Sequence, residues 1–175
     1  MAGIDDSLEF HPLRIAVLSV SDTRDEDSDR SGALLAERLT SAGHQLAGKA
    51  IVADDAEAIR AQVRSWADDE AVDVIISTGG TGFAPRDVTP EAVKPLCTRE
   101  MNGFAVLFHQ ASHGTVGLST LQSRAFAGLA NDKFVFCLPG STSACRTAWE
   151  KLIGAQLDAC TKPCNLANLR PRLRE

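Results

Sequence analysis

Val72-Asp73-Val74-Ile75-Ile76-Ser77-Thr78-Gly79-Gly80-Thr81-Gly82-Phe83-Ala84-Pro85-Arg86-Asp87-Val88-Thr89-Pro90-Glu91 is the stretch on which the fold of this chain turns. An apolar run, Val72 to Ile76, reads as a buried strand and leads into a glycine-rich turn. A short helix is expected from Pro90 to Leu96, with Thr89 as its cap and Pro90 at the first position, where a missing N–H costs nothing. Glycines let backbone N–H groups come close to an anion, and the following helix start adds partial positive charge. Arg86 and Asp87 supply a cation and a carboxylate beside the turn. The turn lacks the Gly-Lys-[Ser/Thr] of a Walker loop, the G-x-G-x-x-G of a dinucleotide fingerprint and the Gly-x-Ser-x-Gly of a nucleophile elbow.

Upstream, Leu13 to Val20 reads as a buried strand closed by the polar Ser21-Asp22-Thr23-Arg24. In an open α/β sheet such a carboxyl end is where ligands gather. The acidic run Asp25 to Asp29 reads as a solvated loop. Helical spacing of Leu35, Leu39 and Ala42, with Gly43 beyond, predicts a first helix over 31–42, followed by a strand over 44–52. Asp54, with Glu57 three residues on, is the expected cap of a second helix whose inward stripe is Ile59, Val63 and Trp66.

Downstream, Gly103 to Phe108 suits a helix, and His109 to Gly114 breaks its pattern. His109 and His113 have no carboxylate or thiol nearby and make a poor metal pair. Ala125 to Ala130 and Lys133 to Leu138, separated by Asn131-Asp132, predict a hairpin. Pro139-Gly140-Ser141 forms a second strand-turn-helix junction, with Ser141 capping a helix that carries Ala148, Trp149, Leu152 and Ile153. Two such junctions in one small sheet could hold two ends of a ligand.

The expected fold is therefore α/β, three layers with helices on both faces of a mostly parallel sheet that has an antiparallel hairpin portion. The 175 residues suffice for one domain, 13–175, preceded by a flexible polar arm, 1–12. A net charge of −5 with scattered Lys and Arg argues against a nucleic-acid partner. No basic-then-apolar leader and no run of membrane-spanning length is present, so a cytoplasmic protein with no membrane partner is expected. Cys97, Cys137, Cys145, Cys160 and Cys164 form no CxxC pair or zinc spacing and read as reduced thiols.

Gly79 to Ala92, read as GGTGFAPRDVTPEA, resembles the signature of the molybdenum cofactor biosynthesis family, the MogA/MoaB-type molybdopterin-binding proteins. The likeness extends from Ile15-Ala16-Val17-Leu18-Ser19-Val20-Ser21-Asp22-Thr23-Arg24 to the end, and Leu118 to Ala125 and Pro139 to Glu150 resemble the MoaB branch. The resemblance implies an α/β/α fold assembled as a homotrimer or homohexamer, working with other proteins of the same pathway. It implies molybdopterin as substrate, ATP as co-substrate and Mg2+ as cofactor, in an adenylyl transfer that yields adenylylated molybdopterin and pyrophosphate.

Matched residue by residue, Asp87 and Asp54 would bind the metal and align phosphates. Asp54 equally suits a helix cap, and Ala53 stands where many adenylyltransferase members have proline. Thr78, Gly79, Gly80, Thr81 and Gly82 would cradle phosphates. Ser119, Arg124, Pro139, Gly140 and Ser141 would line the remainder, with Arg124 a phosphate partner or an ion pair. The alternative is a non-catalytic molybdopterin-binding or carrier protein of the same pathway.

Overall fold

A computed structural model describes residues 3–174. In chain order these form β1 (Gly3–Ile4), β2 (Arg14–Val20), α1 (Arg30–Ser41), β3 (Gln45–Val52), α2 (Ala56–Asp68) and β4 (Val74–Thr78). Next come α3 (Thr89–Val93), β5 (Arg99–Glu100), α4 (Asn102–Val116), β6 (Phe126–Ala130) and β7 (Lys133–Leu138). α5 (Thr142–Ala148) runs through a π turn, Trp149–Ile153, into α6 (Gly154–Leu157), followed by β8 (Thr161–Lys162) and α7 (Leu166–Leu169).

Six strands form one sheet in the order β3-β2-β4-β7-β6-β5. β3, β2, β4 and β7 run parallel, while the β6–β7 hairpin and the short β5 supply the antiparallel portion. Strict alternation explains why both faces are covered. Ile15, Val17, Val74, Ile76, Phe134 and Phe136 pack under α1, α4 and α5, whereas Ala16, Leu18, Ile75, Val135 and Cys137 pack under α2 and α3. The three-layer expectation therefore holds, with the hairpin turning at Asn131, φ 53°.

Four local expectations are corrected. Asp55, not Asp54, caps α2, accepting from the Ala58 N–H at 2.9 Å. Val88 precedes α3, and Thr89 is its first residue, its hydroxyl donating to the Gly79 carbonyl at 2.9 Å instead of to the helix. α4 continues through His109 to Gly114, because Phe104, Phe108 and Ser112 keep one buried helical stripe across that polar segment. Asp29, read as part of a solvated loop, is 1 % exposed and caps α1 by accepting from the Gly32 N–H at 3.0 Å.

The segment expected as a loose arm has partners from Gly3 onward; its first two residues lie outside the described range. Gly3 and Ile4 pair with Lys162 and Thr161 in a small antiparallel sheet, and the Phe10 ring lies 5.1 Å from that of His44. All five cysteines are free thiols. Among the described residues no helix is long and apolar enough to cross a membrane.

The basic C-terminal residues fold back on the chain. Arg170 joins Arg14 on the buried Asp73 carboxylate, and Arg174 pairs with Asp132. Burial alone would raise the Asp73 pKa, but hydrogen bonds from the Arg14 side chain and N–H, with the charge of Arg170, outweigh it and hold the pKa low. A depressed carboxylate contributes stability that is present above its unfolded pKa, about 3.9, and is lost as pH falls through the folded value. Asp73→Asn is expected to cost about 2–3 kcal/mol at pH 7, less than a fully buried pair because Arg14 is 39 % exposed. Urea unfolding at pH 7 and pH 3 checks this: the gap from the parent should shrink at the lower pH, and equal gaps would contradict it.

Candidate functional site

The chain leaves β2 for α1 on one face of the sheet and leaves β4 for α3 on the other. Adjacent parallel strands whose connections part in this way open a crevice at their carboxyl ends. A cleft of ≈ 360 Å³ lies there, between the end of β2 and the turn after β4, with Pro139 and Gly140 after β7 closing one side.

The turn needs its glycines for geometry. Gly79 has φ +108° and Gly80 φ +63°; a Cβ at the first would collide with the Val20 carbonyl and at the second with the Thr89 hydroxyl. The two junctions are stitched together beneath the cleft. The Gly79 N–H donates to Leu138 O at 3.0 Å and the Thr78 hydroxyl to Pro139 O at 2.9 Å. Thr78 is thus wholly buried below the floor, while Gly79, Gly80, Thr81 and Gly82 form the floor itself.

Asp54 and Asp87 both reach this cleft. Asp54 and Asp22 exchange bonds: each accepts the other's backbone N–H at 3.1 Å, and Arg86 forms an ion pair with Asp22. Burial first, then the like charge of Asp22 and more distantly of Asp87, raises the Asp54 pKa above the ordinary carboxylate value. Asp87 closes its own loop, accepting the Ala84 N–H at 2.9 Å. Releasing Asp54 from the helix cap, which Asp55 performs, leaves its carboxylate available to the cleft.

Ser119 and Ser141 line an adjoining cleft of ≈ 250 Å³ that shares Gln122, Ser123 and Pro139 with the first. Its wall includes Ser112, whose hydroxyl is buried without a partner among the described residues. Arg124 lies behind the turn. Its Nε donates to Gly82 O at 2.8 Å, its Nη2 donates to Asp87 O at 2.6 Å, and it pairs with Glu91 while sitting 5.5 Å from the Phe83 ring centroid. These bonds make it a clasp on the loop that carries Asp87, where the sequence suggested a phosphate partner or an ion pair.

Sequence reasoning named the polar end of β2 as a ligand edge but did not single out Asp22 or Arg24, and it overlooked Gln122 and Ser123 as shared lining. Their only signal was position just after a strand or beside the Ser119 motif. Among the described residues no three His, Cys, Asp or Glu side chains form a ready metal cluster.

Comparison with known proteins agrees with this fold. Residues 16–159 match the profile of the family described as a probable molybdopterin binding domain. Molybdenum cofactor biosynthesis protein B of Escherichia coli K12 is 52% identical over 159 residues, covering 91% of this chain and 94% of the relative. The protein of the same name from Staphylococcus aureus strain COL is 48% identical over 149 residues, covering 83% and 88%. A crystal structure of a molybdenum cofactor biosynthesis protein B superposes with a TM-score of 0.85 at 39% identity, covering 94% of this chain and 97% of that one. The chain belongs to the molybdopterin-binding family of molybdenum cofactor biosynthesis proteins.

Proposed function

We propose that this chain adenylylates molybdopterin. The terminal phosphate of molybdopterin attacks the α-phosphate of ATP, a new P–O–P bond forms, the bond to the β-phosphate breaks, and pyrophosphate leaves. One observation carries the reading: a single cleft holds a glycine cradle for phosphate and two carboxylates, Asp54 and Asp87, on one wall.

Joining two polyanions requires neutralised charge and an aligned attack, without a covalent nucleophile. Magnesium fits the donor set, since both acids offer hard oxygen ligands and the raised Asp54 pKa marks negative charge that a cation would relieve. With only two side chains to hold it, the rest of its shell would come from phosphate oxygens and water. Bound there, Mg2+ would supply charge neutralisation at the reacting phosphates. The protein's own part is to fix both acids, present the N–H groups of Gly80, Thr81 and Gly82, and hold the Asp87 loop through Arg124. The adjoining hydroxyl-lined cleft, with Ser119 and Ser141, is placed to take the remainder of one substrate.

Mixing the protein with molybdopterin and Mg-ATP should release pyrophosphate together with adenylylated pterin. Tight pterin binding with no pyrophosphate would favour the carrier reading. The homo-oligomer expected from the resemblance, trimer or hexamer, is supported by an apolar surface on α4 and the turn after it, where Val106, Leu107, Leu118 and Leu121 are exposed. Sedimentation of the free chain as a monomer would contradict that assembly.

A further inference from the structure

Arg24 lines the cleft, and the pair of charges behind it leaves its own positive charge uncancelled. Its guanidinium is fixed from two sides, donating to Ser31 Oγ at 2.6 Å and to Gly140 O at 2.8 Å, so the start of α1 and the second junction both orient it. Behind it stands the fully buried Asp29 side chain, which accepts from Ser19 Oγ at 2.7 Å and from the Gly32 N–H at 3.0 Å. Lys49 Nζ lies 3.3 Å from that carboxylate and Arg24 Nη1 lies 4.0 Å from it. Two cations therefore share one carboxylate, and one positive charge is left over.

That charge faces the glycine turn. Arg24 Nη2 lies 3.9 Å from where a Gly140 Cβ would stand, and the same point is 3.3 Å from the Gly79 Cα, so the guanidinium meets the place where both junctions touch. Elsewhere the cleft is lined by the carboxylates of Asp54 and Asp87, and behind Asp54 the Asp22 carboxylate is paired with the guanidinium of Arg86. The cleft is thus negative on the Asp54 side and positive on the Arg24 side. A metal-carrying triphosphate suits the first wall, and a metal-free phosphate monoester suits the second.

We propose that Arg24, supported by Asp29 and Lys49, binds the terminal phosphate of the acceptor substrate; the identity of that acceptor rests on the adenylyl-transfer reading above. The other arginines near the turn are committed elsewhere. Arg124 is bonded to the loop from behind, and Arg86 is 70 % exposed and paired with Asp22.

Calorimetric titration of the whole chain with inorganic pyrophosphate, in EDTA and at fixed ionic strength, tests the anion site without metal or turnover. Arg24→Gln should weaken binding by about 10- to 100-fold, the range for losing a charge-assisted hydrogen bond. Lys49→Gln should weaken it by about 3- to 10-fold, because Asp29 then compensates Arg24 fully although the ligand-facing side chain is untouched. The exposed Arg64→Gln on α2, which removes the same charge from a residue that does not line the cleft, should leave affinity unchanged. In turnover, Arg24→Gln should raise KM for molybdopterin and leave KM for Mg-ATP in place.

Folded Arg24→Gln protein, verified by its thermal transition, that binds pyrophosphate like the parent would overturn the proposal. So would a parent that binds no pyrophosphate, or a KM change confined to Mg-ATP. A parent that binds pyrophosphate through Arg24 yet makes no adenylylated pterin would leave the anion site standing and overturn the proposed function instead.

Discussion

Asp87→Asn is expected to lower formation of adenylylated molybdopterin by at least about 10³-fold while pterin affinity stays within about threefold. The substitution is close to isosteric, and the structure isolates what it removes. An asparagine oxygen can still accept the Ala84 N–H, so the turn closes as before. Arg124 grips the Asp87 main-chain carbonyl, not its side chain, so the clasp also survives. Only the negative charge facing the cleft is lost. Asp54→Asn should lower turnover by a similar factor, with the opposite sign on stability. A carboxyl whose folded pKa is raised contributes a cost that grows as pH rises through that value, and here the cost comes from burial and the charge of Asp22. Removing the charge should stabilise the free protein by up to about 1 kcal/mol at pH 7, a modest gain because Asp54 is only half-buried. Product analysis and urea unfolding on the same preparations separate the two effects. Loss of activity with loss of stability in both variants would contradict this assignment of roles.

Gly79→Ala is expected to cost about 3–5 kcal/mol and to lower Tm by about 10 °C or more. Two penalties act at one position. The backbone sits at φ +108°, a conformation that side chains with a Cβ rarely adopt, and the added methyl would strike the Val20 carbonyl oxygen. Relief would require β2 and β4 to part at their carboxyl ends, although these strands pair through Ser19 and Thr78 beside the turn. Parting them would also strain the Gly79 N–H bond to Leu138 and the close approach of Gly140. Gly103→Ala is the control, because it has open space for a Cβ and no positive φ; it should change stability by less than about 1 kcal/mol. Differential scanning calorimetry of the pair decides the matter, and equal transition temperatures would refute the strain argument.

The parts of the fold that were legible in the sequence are those where one period dominates. β2, β4 and β7 are buried on both faces and read as apolar runs, and the Asn131-Asp132 turn announced the hairpin. Both junctions were visible because glycine and proline mark a turn whatever surrounds it. What escaped depended on which of several adjacent polar residues a tertiary turn aims inward. Asp54 and Asp55 are equivalent as letters, and only the path from β3 into α2 makes one a cap and the other a cleft residue. Asp29 lies within an acidic run whose other members are exposed, and its burial is set by Ser19 and Lys49 on neighbouring strands. Arg124 was read as a phosphate partner or an ion pair, and its direction follows from carbonyls brought to it by folding. The polar middle of α4 hid a helix because its exposed face carries His113 and Gly114 while its phase is kept by Phe104, Phe108 and Ser112.

The proposed adenylyl transfer belongs to a cleft built from Asp54, Asp87 and the Gly79–Gly82 turn. Its most direct measurement is the fate of the label from ATP carrying a radioactive α-phosphate, mixed with molybdopterin, Mg2+ and the parent protein. The label should move to the pterin in equal amount to the pyrophosphate released, and Asp87→Asn holding bound pterin should transfer none. Pterin that stays bound and unlabelled on the parent protein through many equivalents of Mg-ATP would contradict it.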